Sequence, residues 1–291
     1  MICDSLDPTL LQNIKLIVTD MDGTLLAPGS ILTGATRDAI TKFDSVTKIP
    51  LILATGRCRS AALSRLSSFE RDFEHQPGIF LNGAVVYGLG GVLIDERKFD
   101  PHVLETIVSM FENELNRVVV MPCSGDEIFA PESSEISMYL HVKYSDPLPI
   151  VANGYTSMLS LFEKKSIHMI TLLTAPGEEH NIVHALNKTF NHMYTIVTSV
   201  PRQVSVLPLG STKGAGLSVL TKHLNLGPDE VAAIGDADND IEMLDFAGVA
   251  VAVNNACEEV KSHANCIVNS NSDPFPGVAQ FLSIVSSKQC P

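Results

Sequence analysis

No apolar run in this 291-residue chain approaches the ~18 residues that a bilayer span requires, so no membrane partner is expected. Met1 to Gln12 carries Asp4 and Asp7 and lacks a basic start followed by an apolar stretch, so no secretory leader is expected. The six cysteines (Cys3, Cys58, Cys123, Cys257, Cys266, Cys290) have neither CxxC nor CxxxxC spacing. That argues against a zinc or disulfide framework and for a reducing, cytoplasmic compartment. Lysine and arginine number 20 against 33 acidic residues, a net charge of -13, so the general basic surface that nucleic acid needs is missing. Local cations can still serve a small anionic substrate. Ser211-Thr212-Lys213-Gly214 lacks the Walker spacing, and Gly88 to Gly91 is no dinucleotide fingerprint. The histidines form no His-Glu-x-x-His pair, and His168 reads as a satisfied core residue.

What the chain does contain is ordinary soluble composition, 45% hydrophobic and 18% charged, with length for one large or two moderate domains. Buried strands are predicted at 15–20, 49–54 and 78–81, with helices at 33–46 and 60–73 between them. Continuous apolar strands alternating with helices indicate a parallel sheet covered on both faces. From about Val85 the pattern changes. A hairpin (85–87, 92–95), helices at 103–115, 158–162 and 181–190, and strands at 118–121, 168–173, 195–200 and 203–207 predict an inserted α+β module. The first pattern resumes with helices at 211–224, 241–246 and 257–263, and strands at 230–234, 248–253 and 266–268. The fold class is thus α/β, a Rossmann-like parallel-sheet core in two parts, 1–85 and 201–291, with an inserted α+β domain over 86–200.

Chemistry-bearing residues recur where predicted strands end or the next helices begin: Asp20 and Asp22, Thr55, Lys213, and Asp236 with Asp240. A doubly wound sheet gathers such ends at one edge, where ligands bind. Each piece also has a plainer reading. Asp22-Gly23 is a common turn, Thr55-Gly56 can simply end a strand, Lys213 can be a solvated lysine, and Asp236 to Asp240 can be a helix cap. A calcium loop beginning at Asp236 fails at Ile241 and Ala247. Together, however, the set holds four carboxylates, a hydroxyl and an ammonium. That set suits phosphoryl transfer through an enzyme carboxylate, with Mg²⁺ on carboxylate oxygens and a backbone carbonyl near Asp22, and phosphate held by Thr55, Lys213 and amides around Gly23.

Asp20-Met21-Asp22-Gly23-Thr24, Thr55, Lys213 and Gly235-Asp236-x-x-Asn239-Asp240 resemble the four motifs of the haloacid dehalogenase superfamily of phosphohydrolases. Ala54-Thr55-Gly56-Arg57, Asn82-Gly83-Ala84, Lys213-Gly214, Asn239 to Leu244 and Val253 to Ala256 resemble its Cof-type branch, over residues 15 to 285. The resemblance implies a Rossmann-like core with a mobile C2B-type α/β cap. It implies Asp20 as the nucleophile that forms an aspartyl-phosphate and Asp22 as the acid/base. Gly23, Thr24, Thr55, Gly56, Arg57, Asn82, Lys213 and Asn239 would contact phosphate or substrate, and Asp20, Asp22, Asp236 and Asp240 would lie at Mg²⁺. One departure is Val204-Ser205-Val206-Leu207, where relatives often carry an acid. The expected activity is Mg²⁺-dependent hydrolysis of a small phosphomonoester (a sugar phosphate, nucleotide or cofactor precursor) by a monomer or small homo-oligomer. The alternatives are a phosphomannomutase-type phosphotransferase and a non-catalytic phosphometabolite-binding protein.

Overall fold

The computed structural model describes residues 8–67, 69, 71–144, 146–198 and 200–289. They fall into two compact units: Met1–Arg57, Ala62–Asp95 and Thr212–Pro291 form the first, Cys58–Ala61 and Glu96–Ser211 the second.

In the first unit the elements run α1 (Pro8–Gln12), β1 (Leu16–Thr19), α2 (Gly34–Val46), β2 (Leu51–Ala54), α3 (Arg59–Ser64, shared with the second unit), β3 (Gly78–Phe80), β4 (Val85–Tyr87) and β5 (Leu93–Glu96). After the insertion come α8 (Lys213–Leu224), β12 (Val231–Gly235), α9 (Ile241–Phe246), β13 (Val249–Val253), α10 (Glu258–Ser262), β14 (Cys266–Val268) and α11 (Gly277–Gln289). The sheet order is β14-β13-β12-β1-β2-β3-β4-β5, parallel from β14 to β3. Alternate strand residues point to opposite faces. Ile17, Leu51, Leu53, Ala232 and Ile234 therefore join one core with Ile40 and Phe43 of α2 and Phe281 and Leu282 of α11. Leu16, Val18, Ile52 and Ala233 join another with Leu217 and Leu220 of α8 and Met243 of α9. Burial on both faces explains why these strands are unbroken apolar runs. Thr33 caps α2, its hydroxyl accepting from Thr36 N at 3.1 Å.

The second unit holds α4 (Pro101–Phe111), β6 (Val118–Ser124), β7 (Glu127–Ala130), α5 (Tyr139–Tyr144), β8 (Ile150–Val151), α6 (Tyr155–Phe162), β9 (Met169–Thr174), α7 (Glu179–Phe190), β10 (Thr195–Val197) and β11 (Gln203–Leu207). Its sheet runs β10-β11-β9-β6-β7-β8, antiparallel except for β7 with β8. A separate core gathers Leu104 and Ile107 of α4, Val120, Met158, Leu172 and Leu186.

Several sequence expectations change. The units divide at 95/96 and 211/212, not at 86 and 200, because β4 pairs antiparallel with β3 and extends the large sheet, while β11 pairs with β9 in the small one. The helix expected over 60–73 ends at Ser64. Single tight turns follow it, Leu66 N to Leu63 O and Phe69 N to Leu66 O, and the Arg71 guanidinium reaches Leu51 O. β7, α5, β8 and α11 have no counterpart among the predicted elements. The reading against a disulfide framework meets one exception, Cys266, which is disulfide-bonded, whereas Cys58, Cys123 and Cys257 are free. Sequence spacing carries no information on whether two Cα atoms approach within bridging distance. His168 is buried with both ring nitrogens bonded, Nδ1 to Gly125 N and Nε2 to Glu96 Oε2, each at 2.9 Å.

Phe43 is fully buried between sheet and helix. Phe43→Ala should therefore lower stability by about 3–5 kcal/mol, read from the urea midpoint with the unfolding slope unchanged.

Candidate active site

The parallel register places the site. Pairing Thr19 with Ile234 and with Leu53 brings the residues that follow β1, β12 and β2 to one sheet edge. Backbone bonds continue the alignment beyond the strands: Asp20 N donates to Ile234 O and Thr55 N to Ile79 O, each at 2.9 Å. Next to them Leu81, Asn82 and Gly83 all have positive φ, 49°, 51° and 88°. This left-handed turn costs free energy at Leu81 and Asn82. It is held by Leu81 N to Arg57 O and Asn82 N to Thr55 O, both 3.0 Å, so it braces the loop after β2. Gly83 has no room for a side chain, since a Cβ there would lie 2.1 Å from Thr212 O.

Lys213 opens α8, whose cap is Thr212. It is not solvated: only 1% of the residue is exposed, and its Nζ donates to Asp20 Oδ1 at 2.5 Å and Asp240 Oδ1 at 2.6 Å. The other Asp240 oxygen accepts the amides of Asp236 (2.9 Å) and Ala237 (3.1 Å). Asp240 thus anchors the ammonium to the loop that carries Asp236. Asp236 Oδ1 accepts the buried Thr24 hydroxyl at 2.6 Å. Gly23, at φ +95°, passes so close to Asp236 that a Cβ would meet its carboxylate at 2.3 Å.

Burial pushes the Asp20 carboxyl well above the usual range; Lys213 opposes this while Asp240 and Asp236 add to it. Burial likewise raises Asp236, to about 6, against the Thr24 hydrogen bond. Burial also works against the Lys213 ammonium, but Asp20 and Asp240 outweigh it and its pKa rises. Asp22 has a different environment. Arg57 Nε and Nη2 bind its two oxygens at 2.6 and 2.8 Å, and Ser30 Oγ donates at 3.0 Å. Partial burial would raise Asp22, yet the Arg57 bonds and charge prevail and the net shift is downward. The two acids predicted to divide the chemistry are therefore held in contrasting electrostatic states.

Ligand oxygens of Asp20, Asp236 and Asp240 lie within 4.8 Å of one another. Three carboxylates against one ammonium leave two negative charges when all are ionised, a hard-oxygen set suited to a divalent cation. The Asp22 side chain stands apart from this group, on Arg57. Thr55 is buried, its Oγ1 accepting from Arg57 N at 3.2 Å, and Gly56 packs against the Asn82 amide. Asn239 Nδ2 donates to Asn82 Oδ1 at 2.9 Å, tying the loop after β3 to the one after β12. Ser30 was not singled out from the sequence, whereas Asn255 lies in the Val253 to Ala256 stretch that carries part of the Cof-type resemblance. Ser30 also accepts from Arg57 Nη2 at 3.2 Å, and Asn255 Nδ2 donates to Gly23 O at 2.8 Å. Asn255 follows the end of β13; no spacing signal marks Ser30.

A buried carboxylate beside an ammonium, a second acid two residues on and a further acid pair at the same sheet edge define a phosphohydrolase class of site. The chain belongs to the haloacid dehalogenase-like hydrolase family, whose description matches residues 17–282. It is 29% identical to "Endoribonuclease YBEY, chloroplastic" of Arabidopsis thaliana over 91% of this chain, spanning only 45% of that protein's length. It is 27% identical to "Phosphatase YwpJ" of Bacillus subtilis, over 92% of this chain and 99% of that one. A solved haloacid dehalogenase-like hydrolase of B. subtilis matches with TM-score 0.77 at 25% identity, covering 93% of this chain and 99% of that one. Within the superfamily the chain is of the Cof type, a hydrolase of phosphoric monoesters.

Replacing Lys213 by methionine strands two buried carboxylates. Lys213→Met should cost about 3–5 kcal/mol of stability, measured by chemical denaturation; a loss under 1 kcal/mol would contradict the buried triad.

Proposed function

We propose that the chain hydrolyses a small phosphomonoester through an aspartyl-phosphate on Asp20, with Mg²⁺ as its cofactor. The observation that carries this reading is the buried Asp20 carboxylate, held by Lys213 at 2.5 Å with Asp236 in the same cluster and Asp22 two residues on. Asp20 attacks phosphorus, and the bond to the leaving oxygen breaks. Asp22, released by Arg57 and protonated from solvent, donates that proton to the leaving oxygen; the resulting carboxylate then takes a proton from a water that attacks phosphorus, and the Asp20–phosphorus bond breaks to free phosphate. Thr55, Lys213 and the amides around Gly23 hold the phosphoryl oxygens, while Gly56, Arg57, Asn82 and Asn239 shape the loops around them. Asp20 and Asp236, with the backbone at Asp22, would hold Mg²⁺; Asp240 serves from behind, since both its oxygens are already engaged. The bound ion neutralises repulsion between the attacking carboxylate and the phosphate dianion. In this reading the inserted unit, 96–211, selects the substrate among sugar phosphates, nucleotides and cofactor precursors.

The test of the nucleophile is Asp20→Asn assayed for phosphate release from an aryl phosphate with Mg²⁺. Turnover should fall at least about a thousandfold, and undiminished activity refutes the assignment. A second expectation follows from Asp236, pushed up to about 6. Below that pH its carboxyl holds a proton and is a poor ligand; above it the ionised form binds the cation. Added Mg²⁺ should therefore raise the melting temperature at pH 8 and much less at pH 5, and equal shifts at the two pH values would remove Asp236 from the ligand set.

A further inference from the structure

Residues Cys58–Ala61 follow Arg57 directly in the chain, yet they cluster with the inserted unit. The bond that captures them is specific. Asp126, in the turn between β6 and β7, accepts the Ser60 amide on Oδ1 at 2.7 Å. That amide lies in the first turn of the short helix α3, where backbone donors have no intrahelical acceptor. A carboxylate 66 residues further along the chain therefore supplies what the local sequence does not.

The turn that presents Asp126 is itself braced. Gly125 N donates to His168 Nδ1, so the His168 proton sits on Nε2, which donates to Glu96 Oε2. Lys98 Nζ steadies Glu96 at 2.9 Å. Asp126 is exposed. Cys58 is buried in the same cluster, close enough to the Asp126 and Asp146 carboxylates for them to add to the effect of burial on its thiol, which is pushed up to about 11.

Arg57 is the residue whose guanidinium grips both oxygens of Asp22. We propose that Asp126 is a positioning residue for the reaction: by pinning Ser60 it fixes the chain that leaves Arg57, and so sets how Arg57 holds and releases Asp22. The proposal rests on the phosphomonoesterase reading of the site. It assigns to one side chain of the insertion a mechanical hold on the acid/base, transmitted through three covalently linked residues.

The test compares the full-length wild type with Asp126→Ala, Asp126→Asn, Arg57→Ala and the Arg57→Ala/Asp126→Ala double variant. Aryl phosphate kinetics with Mg²⁺ are read alongside amide hydrogen exchange over 57–61. Asp126→Ala should lower kcat about tenfold with KM nearly unchanged, and should speed exchange at Ser60. Asp126→Asn keeps an acceptor at Oδ1 and should restore kcat to within about twofold. In the Arg57→Ala background, Asp126→Ala should have no further effect, because its influence passes through Arg57. Additive losses, equal losses for alanine and asparagine, or unchanged Ser60 exchange would each overturn the proposal. A wild type inactive on phosphomonoesters refutes the functional reading instead, and the exchange arm still decides whether Asp126 holds the segment.

Discussion

Lys213 between Asp20 and Asp240 is the constraint on which the first unit's chemistry depends. Two carboxylates this deeply buried would otherwise be neutral or would drive the loops apart. The ammonium holds one acid from β1's end and one from β12's end at 2.5 and 2.6 Å, and the second of these acids holds the backbone of Asp236. A single cation thereby ties three loops into one rigid floor. Burial pushes Asp20 and Asp236 upward in pKa and the neighbouring acids add to it; the acids still outnumber the ammonium, which is why a divalent cation suits the site.

Asp22 shows the complementary arrangement. Its neighbour along the chain faces the lysine cluster, whereas Asp22 faces Arg57 and Ser30. Strand alternation would put residues 20 and 22 on the same face, but the chain turns after β1 and sends them to different partners; burial then raises the Asp20 carboxyl, whereas the Arg57 bonds and charge lower Asp22. Two chemically identical side chains thus acquire distinct tasks from their surroundings. The left-handed turn at Leu81, Asn82 and Gly83 helps maintain this, because it fixes the backbone of Thr55 and Arg57 from the next strand.

Much of this was legible in the order of residues. The apolar runs of β1, β2, β12 and β13 identify themselves because both faces of the sheet are covered, and Asp20, Thr55 and Asp236 stand where such runs stop. The apolar spacing of Leu66, Phe69 and Phe73 suggests a helix continuing after β2, although single turns satisfy it equally well. The hairpin strands β4 and β5 were placed with the insertion because a short hairpin does not declare which sheet it extends. Ser30 and Asp126 were illegible for a common reason: they act through hydrogen bonds outside their own elements, Ser30 to Asp22 and Arg57 and Asp126 to Ser60, and none of these bonds leaves a periodicity or a spacing.

The sequence by itself determined the α/β class, the strand ends that carry chemistry and the identity of the acids, since hydrophobic periodicity and residue type are local properties. Tertiary structure alone decided that Lys213 is buried rather than solvated, that Asp240 faces the lysine and two amides, and that Asp22 is clasped by Arg57. Those outcomes depend on strand register and loop closure, which bring Lys213 and Asp20, 193 positions apart, within hydrogen-bonding distance. Burial then sets the charge state that each of them carries.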